Sequence, residues 1–327
     1  MRNLRKSGAG ENRTLLVGGL VALALAMGVA LPVAAADECK PSRWGADDEI
    51  GNLNLISAKT VKKAARLIKS GKTYSLGITI DSTTPAFAPR SLAIQVVQPG
   101  QQMGREPYPN ASYNDDIFIG WLGIGSQLDG LGHLGASGGE FYNCNLGKDF
   151  ADITGLTRLG IEKVPPMVAR GVVLDMASHF GVATMQAGHF FTVDDVKAVV
   201  KKQKTPIREG DVVLFHTGWT ENMLEAKPDE WVAGEPGMSE EVARYLADKD
   251  VIAVGADTWG LDVVPAQHAD RPFQGHVILL KENGIFILET MNTGPLVRDK
   301  AFEFFFVLGQ AKVRGAVQMI INPIAIR

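Results

Sequence analysis

The sequence has no run of basic residues, no internal repeat, no low-complexity segment and no dinucleotide-binding fingerprint. Without a basic run it lacks the electrostatic footprint that nucleic-acid binding requires. The missing fingerprint argues against a dinucleotide-binding fold. With 46% hydrophobic and 21% charged residues the composition is that of an ordinary globular protein. We therefore predict one compact domain and exclude a disordered, collagen-like or coiled-coil chain.

An apolar segment of membrane-spanning length occurs once, near the start of the chain. Leu15 to Val33 carries no charge, and Ala34, Ala35 and Ala36 follow it as small residues suited to cleavage. The basic residues before it are Arg2, Arg5, Lys6 and Arg13. This order is typical of a secretory signal over residues 1–36. It predicts an exported, periplasmic or secreted protein whose mature domain spans residues 37–327; an uncleaved membrane anchor is the alternative.

Removal of the signal leaves 29 basic and 35 acidic residues, a net charge of −6. Such a chain has no attraction for anionic lipid, so we expect neither a nucleic-acid nor a membrane partner after cleavage. Two cysteines remain, Cys39 and Cys144. Export to an oxidising compartment favours a disulfide between them, whereas two free or buried thiols are the alternative.

Patterns of apolar residues predict more strands than helices. Three helices are expected, opened by Ser57, Thr192 and Ser239, with Gly71 ending the first. Nine short apolar segments rich in Val, Ile and Phe are predicted to be strands: 73–80, 92–97, 117–121, 168–174, 212–216, 252–254, 285–288, 302–308 and 316–320. Because they do not alternate regularly with helices, we predict a single β-rich α/β domain with a central barrel-like mixed sheet flanked by helices.

The segment 123–135 carries the densest polar and glycine signal in the chain. It contains five glycines, which indicate tight turns or close backbone approach. Gln127 and Asp129 are two positions apart and would point to one side of an extended segment. They could offer two oxygens to one cation, while His133 acts as a base or completes the coordination shell. Such oxygen ligands suit Mn²⁺ or Mg²⁺ better than Zn²⁺. The alternative is a loop whose Asp and His satisfy backbone groups.

The same segment resembles the signature of the cyclase family, which includes kynurenine formamidases and isatin hydrolases. That signature is His-x-Gly-Thr-His-x-Asp-x-Pro-x-His, and in the same frame this chain has Gly123-x-Gly125-Ser126-Gln127-x-Asp129-x-Leu131-x-His133. Two of the signature's metal-binding histidines are replaced, by Gly123 and Gln127. The chain is similar to a divergent Ser-Gln-x-Asp-Gly-Leu-x-His branch. The resemblance extends over about residues 44–327.

The resemblance implies a metal-dependent hydrolase of an amide, a cyclic amide or imide, or a lactone. Asp129 would bind the metal and His133 would be the general acid/base. Glu289 and His276 match a segment in which the family carries further ligands, so we expect one divalent ion, Mn²⁺ rather than Zn²⁺, held by Gln127, Asp129 and one or both of these. The family resemblance also implies a homodimer or homotetramer and a swivelling β/β/α fold.

For some candidate residues the sequence allows either a functional role or a purely structural one. Glu289 ends a strand too apolar for an unpaired carboxylate, so it is either a ligand or an ion-pair partner, and His276 is either a ligand or a hydrogen-bonded core histidine. Trp121, Ser126, Asp257 and Trp259 are predicted to contact a small-molecule substrate. Asp257 could instead cap a turn, and either tryptophan could instead pack in the core.

Two other functions compete with hydrolysis. The chain could be an exported small-molecule-binding protein that kept the cyclase fold but has a degraded metal site, since Gly123 and Gln127 replace ligands. It could also be a metal-assisted dehydratase or cyclase that acts on a similar carbonyl. Detection of a bound divalent ion in the purified protein would favour the two enzyme functions over the binding function.

Overall fold

The computed structural model describes residues 39–97 and 114–327, and these residues belong to one compact unit. The predicted signal over residues 1–36 lies outside them. The structure contains fifteen described strands, numbered in chain order: β1 Thr73–Ser75, β2 Leu92–Val97, β3 Asp115–Gly120, β4 Gln127–Asp129, β5 Ala151–Asp152, β6 Gly155–Leu156, β7 Met167–Asp175, β8 Phe190–Phe191, β9 Val212–His216, β10 Gly237–Met238, β11 Ala253–Ala256, β12 Phe286–Glu289, β13 Glu303–Leu308, β14 Gln318–Ile320 and β15 Ile324–Ile326.

The described helices are short. The α-helices span Ala58–Ala65, Gly147–Phe150, Met176–His179, Val193–Gln203, Trp219–Met223, Pro228–Ala233, Glu240–Ala247, Gln274–His276 and Gly294–Arg298. Three 3₁₀ turns cover Gly51–Leu55, Tyr142–Cys144 and Ile161–Lys163, and a π-helix covers Val277–Glu282. None of the helices in the described ranges has the length and hydropathy needed to cross a bilayer.

Nine strands form one curled, half-barrel sheet in the order β1-β15-β13-β7-β9-β11-β12-β4-β14. The four strands from β7 to β12 in this order run parallel, whereas the flanking pairs are antiparallel. The parallel strands are buried almost throughout, as expected when helices cover both faces. The predicted α/β domain with a barrel-like mixed sheet flanked by helices is confirmed.

The three predicted helices are present, and a capping box accounts for where two of them begin. Ser57 and Thr192 each accept a hydrogen bond from the third helical residue, which bonds back to the cap. Ser239 stands before the third helix without a side-chain cap. The first helix ends at Ala65 rather than near Gly71, so the prediction of its end was wrong, and Ile68 is left 40% exposed.

Two strand predictions differ from the structure in informative ways. Only Thr73–Ser75 of the predicted 73–80 strand pairs in the sheet, with β15. The segment before the glycine-rich motif forms β3, which pairs with β2 in a separate two-stranded ribbon whose apolar side chains are largely exposed. The run of consecutive apolar residues Ile117, Phe118 and Ile119 therefore does not mark a buried strand.

The glycine-rich motif itself contains a short strand, paired on both sides, that was not among the predicted strands. Gln127–Asp129 pairs with β12 on one side and with β14 on the other, and all three of its residues are buried. The alternative of a loop is thus wrong for residues 127–129, which are extended. The glycines on both sides of the segment indicated turns. The strand pairing that defines it involves residues about 160–190 positions further along the chain, so no local pattern predicted it.

Cys39 and Cys144 form a disulfide in the structure. This bridge joins the first described residue to the end of the 3₁₀ turn at Tyr142–Cys144. Of the two alternatives left open by the sequence, the structure therefore has the bridge, and both cysteines of the chain are used in it.

Candidate metal centre

Strand register assembles a polar stripe across β12, β4 and β14. Asp129 is paired with Gln318, and Gln127 is paired with Glu289. Paired residues of neighbouring antiparallel strands point to one side of the sheet, as do residues two apart on one strand. Four polar side chains therefore share one face, and all four are buried. This placement agrees with the expectation that Gln127 and Asp129 face the same side.

Asp129 lies at the centre of this stripe and is completely buried. Its Oδ1 accepts hydrogen bonds from the amide nitrogens of Gln318 at 2.7 Å and Gln127 at 3.1 Å. Its Oδ2 has no hydrogen-bond partner among the described residues. A buried carboxylate oxygen without a partner carries a large free-energy penalty unless a positive group satisfies it.

Gln127 stands between two carboxylates. Its Nε2 donates to Asp129 and, at 2.5 Å, to Oε2 of Glu289. In this orientation the amide nitrogen, not the oxygen, faces the carboxylates, so Gln127 acts as a hydrogen-bond donor. To coordinate a cation it would have to turn its amide and present Oε1.

His276 reaches the same carboxylates from the helix beyond the sheet. Its Nδ1 is 2.6 Å from Oδ2 of Asp262, and its Nε2 is 3.1 Å from Oε1 of Glu289 and 3.6 Å from Oδ2 of Asp129. A carboxylate on Nδ1 fixes the ring orientation and the tautomer, so that the Nε2 lone pair is offered to a cation. Asp262 is held in turn by the backbone N–H groups of Gly275 and His276.

His133 completes a compact group of possible metal ligands. Asp129, His133 and His276 each offer one atom, and these atoms lie within 4.8 Å of one another. Nε2 of His133 is 4.0 Å from Oδ2 of Asp129, the unpartnered oxygen. One carboxylate with two imidazoles is a donor set that suits a divalent first-row ion such as Mn²⁺ or Zn²⁺. The residues therefore fit a divalent metal.

Proton affinities in this group are strongly perturbed. Burial alone would raise the pKa of Asp129, but the neighbouring charges of His133 and His276 and the hydrogen bonds it accepts lower it to about 2. Burial, followed by the Asp129 charge, raises the pKa of Glu289 to about 8. Burial opposes the charging of His276, yet the neighbouring carboxylates of Asp129, Asp262 and Glu289 raise its pKa well above its usual value. In the metal-free site His276 thus supplies the positive charge that balances Asp129.

His133 behaves in the opposite way to His276. Burial lowers its pKa; the Asp129 carboxylate opposes this, while the charges of His276 and Arg90 add to it. The imidazole of His133 is therefore neutral at pH 7 and able to accept a proton. Its side chain is 20% exposed, whereas that of His276 is 4% exposed, so His133 is the one that faces a ligand.

A cavity of about 200 Å³ opens onto these groups. Its apolar walls are Phe87, Leu134, Trp259 and Phe273, and its polar lining is Arg90, His133, His276 and Glu289. The rings of Phe87 and Trp259 stack with centroids 5.6 Å apart. The volume is below the range of about 300–1,000 Å³ that is typical of drug-sized ligands. The cavity suits a small molecule with one apolar face.

The structure does not bring all the predicted substrate residues to this cavity. Trp259 lines it, whereas Trp121 lies at the end of β3 and is 48% exposed. Ser126 is buried, where its hydroxyl accepts from the Ile78 N–H and donates to a backbone carbonyl. Asp257 accepts from the backbone N–H groups that follow β9 and lines a different cavity. This is the turn-capping arrangement that the sequence left open for Asp257.

Sequence reasoning missed several residues that hold the site. Asp262 orients His276, Gln318 bonds to Asp129, and Arg90 lines the cavity. Glu235 is also buried and accepts a hydrogen bond from the backbone N–H of Trp259 at 2.6 Å, which holds the chain at the aromatic wall. Burial and then the Glu289 charge raise the pKa of Glu235 well above its usual value. None of these residues belongs to a local motif, so no spacing could have identified them.

A family model described as a putative cyclase matches residues 74–263, which is more than half of the chain. The chain belongs to the cyclase family. The matched residues include Asp129 and His133, whereas His276 and Glu289 lie beyond them. The family resemblance predicted from the segment 123–133 is therefore confirmed. No curated protein matched the chain.

Solved structures show the same fold. A crystal structure described as a novel cyclase is 28% identical, with a TM-score of 0.79, and the match covers 88% of this chain and all of that one. Isatin hydrolase A from Ralstonia solanacearum is 17% identical over 78% of this chain and 92% of its own, with a TM-score of 0.58. A predicted metal-dependent hydrolase from Bacillus stearothermophilus is 18% identical, with a TM-score of 0.52 and coverage of 79% and 98%. The last two similarities establish a shared fold.

The perturbed groups predict that the metal-free cyclase loses stability as the pH rises from 6.5 to 8. The pKa of Glu289 is raised to about 8, and that of His276 is raised well above 6.5. In this window both groups hold a proton in the folded chain and lose it on unfolding. The free energy of unfolding should therefore fall by about 1.4 kcal/mol per pH unit for each group.

Urea unfolding in EDTA, measured at several pH values in this window, checks that prediction. The Glu289→Gln variant removes one titrating group, so its slope should be shallower by about 1.4 kcal/mol per pH unit. Stability that does not vary with pH, or the same slope in the variant, would contradict the assignment of a raised pKa to Glu289.

Proposed function

We propose that this cyclase is a metal-dependent hydrolase that cleaves an amide, a cyclic amide or imide, or a lactone of a small molecule. The observation that carries the proposal is the buried, unpartnered Oδ2 of Asp129, which faces the Nε2 atoms of His133 and His276. Family membership and the hydrolase descriptions of structures with the same fold are consistent with it.

Asp129 and His276 would hold the cation, with Glu289 beside His276 and Gln127 between the two carboxylates. A bound divalent ion polarises a carbonyl and lowers the pKa of water from about 16 toward about 7. We favour Mn²⁺ over Zn²⁺ because the group is rich in oxygen donors and contains no thiolate. The number of ions we propose is one.

His133 would act as the general acid/base. It is neutral at pH 7 because burial lowers its pKa, so it can take a proton from water. Once protonated, its imidazolium lies 4.0 Å from the Asp129 carboxylate and can return the proton to the leaving nitrogen or oxygen. The apolar walls contributed by Phe87 and Trp259 would hold the substrate ring and exclude water.

Removal and restoration of metal test this proposal. EDTA-treated protein is expected to lose turnover to the background rate on a panel of N-formyl aromatic amides, cyclic imides and lactones, and added Mn²⁺ should restore it. Full activity in a sample verified as metal-free would refute the proposal. Failure to bind any divalent ion, even after incubation with excess Mn²⁺, would favour the small-molecule-binding function instead.

Asp262 provides a prediction about metal affinity. Its carboxylate orients His276 from outside the site, and the loss of such a partner typically weakens metal binding 10–100-fold. We expect Asp262→Asn to lower Mn²⁺ affinity within that range, measured by titration calorimetry. Asp248→Asn, at the end of the helix Glu240–Ala247, is the matched control and should bind Mn²⁺ like the wild type. Equal affinity in the Asp262 variant and the control would contradict the orienting role.

A further inference from the structure

Strand β14 places the side-chain amide of Gln318 against one of the two carboxylate oxygens of Asp129. Gln318 on β14 is paired with Asp129 on β4, and its Nε2 donates to Oδ1 at 2.7 Å. Gln127 donates to the same oxygen at 3.1 Å. Oδ1 thus receives two N–H groups, whereas Oδ2 receives none and faces the two imidazoles. The two amides divide the carboxylate into a hydrogen-bonded oxygen and a free one.

Gly123 leaves the space that this amide occupies. A Cβ atom built on Gly123 would lie 2.5 Å from Oε1 of Gln318 and 2.8 Å from both Cδ and Nε2. Contacts this short do not occur, so any side chain at position 123 would displace the amide. The backbone cannot easily retreat, because Arg90 donates from Nη1 to the Gly123 carbonyl at 2.7 Å. Gly123 has no positive φ, so space and not backbone conformation requires a glycine here.

We infer that Gln318 is a positioning residue of the metal centre and that Gly123 is required for its placement. Gln318 holds the Asp129 carboxylate so that Oδ2 alone is presented to the cation, and it does not itself need to touch the cation. The inference rests on the proposed metal-dependent function. It adds a residue from β14 to the site and gives a steric reason for the glycine at position 123.

Mn²⁺ titration calorimetry on the metal-free protein tests this inference. Gln318→Ala and Gln318→Met both remove the donor, and Met keeps most of the side-chain volume. Each is expected to weaken Mn²⁺ binding about 10–100-fold, as loss of an orienting partner does. Gly123→Ala should weaken it to a similar degree, because its methyl group displaces the amide of Gln318.

A double variant, Gly123→Ala/Gln318→Ala, tests whether the two single substitutions weaken Mn²⁺ binding through the same steric contact or independently. Once Gln318 is Ala, a methyl group at position 123 meets no amide, so Gly123→Ala/Gln318→Ala should bind Mn²⁺ no more weakly than Gln318→Ala alone. Gly309→Ala and Gln310→Ala are matched controls: a Cβ at Gly309 meets nothing within 4 Å, and Gln310 bonds to backbone carbonyls at Ile161 and Val164. Both controls should bind Mn²⁺ with wild-type affinity.

The outcomes separate this inference from the proposed function. If the wild type binds no Mn²⁺, the proposed function fails. If the wild type binds Mn²⁺ and Gln318→Met binds it equally well, the positioning role fails while the function stands. Losses that multiply in the double variant would overturn the steric link between the two positions. Unfolding temperatures of the metal-free variants show whether a loss of Mn²⁺ affinity comes from misfolding. If Gln318→Ala is misfolded, the Mn²⁺ affinity of Gln318→Met decides whether Gln318 positions Asp129.

Discussion

Asp129→Asn is expected to reduce turnover by on the order of a thousandfold or more and to abolish Mn²⁺ binding at micromolar concentrations. The change keeps the size and shape of the side chain but removes its charge. It also places the amide N–H group at the position where the unpartnered Oδ2 of Asp129 faces His133 and His276. A neutral amide in that position gives a divalent cation little electrostatic attraction.

Metal content and turnover of this variant should be compared with Asp116→Asn, on the exposed ribbon formed by β2 and β3. The control is expected to keep both properties. Metal-free Asp129→Asn should remain folded, because the amides of Gln127 and Gln318 can still bond to the Asn carbonyl oxygen. Wild-type Mn²⁺ affinity in Asp129→Asn would mean that the cation binds elsewhere and that the proposed site is wrong.

The centre of the site followed from the sequence because its geometry is local. Gln127 and Asp129 are two positions apart, and in an extended segment this spacing places both on one face. The predicted sheet also placed Glu289 at the end of an apolar strand, where the structure has it. What the sequence did not contain was the strand pairing that brings Glu289 beside Gln127 across 162 residues.

The rest of the site depends on such distant pairing. Gln318 meets Asp129 across 189 residues, and it lies in a strand whose sequence predicts only that it is buried. Asp262 meets His276 because the chain between them folds back, with no periodic pattern to indicate the contact. The substrate candidates Ser126 and Asp257 were chosen for their chemistry, yet Ser126 bonds to backbone groups and Asp257 bonds to backbone and side-chain groups of the residues at the end of β9. Local spacing placed Gln127 and Asp129 on one face, and only tertiary structure identified the residues that surround them.

The metal-free site balances its charges without a cation. His276 carries a proton between Asp129, Asp262 and Glu289, and Glu289 itself keeps a proton because burial and the Asp129 charge raise its pKa to about 8. Cation binding requires His276 to lose that proton, since an imidazole coordinates only as the neutral ring. Binding should therefore release protons, and the affinity for Mn²⁺ should rise with pH through neutrality.

His133→Ala is expected to lower kcat about 10²–10⁴-fold while leaving Mn²⁺ affinity within a few-fold of the wild type. The proposed role of this imidazole is proton transfer, not the retention of the cation. Its Nε2 is 4.0 Å from Oδ2 of Asp129, a longer separation than the 3.6 Å of His276 from the same atom. Both imidazoles line the cavity, but that of His276 is held between the carboxylates of Asp262 and Glu289.

The pH dependence of the rate gives a second test of the same role. In the wild type, kcat/KM should rise with pH through an ionisation below the usual imidazole range, because burial lowers the pKa of His133. That ionisation should be absent in His133→Ala and present in His179→Ala, whose imidazole pairs with Asp195 outside the site. If His133→Ala instead loses its Mn²⁺ together with its activity, His133 is a ligand, and another group must supply the proton.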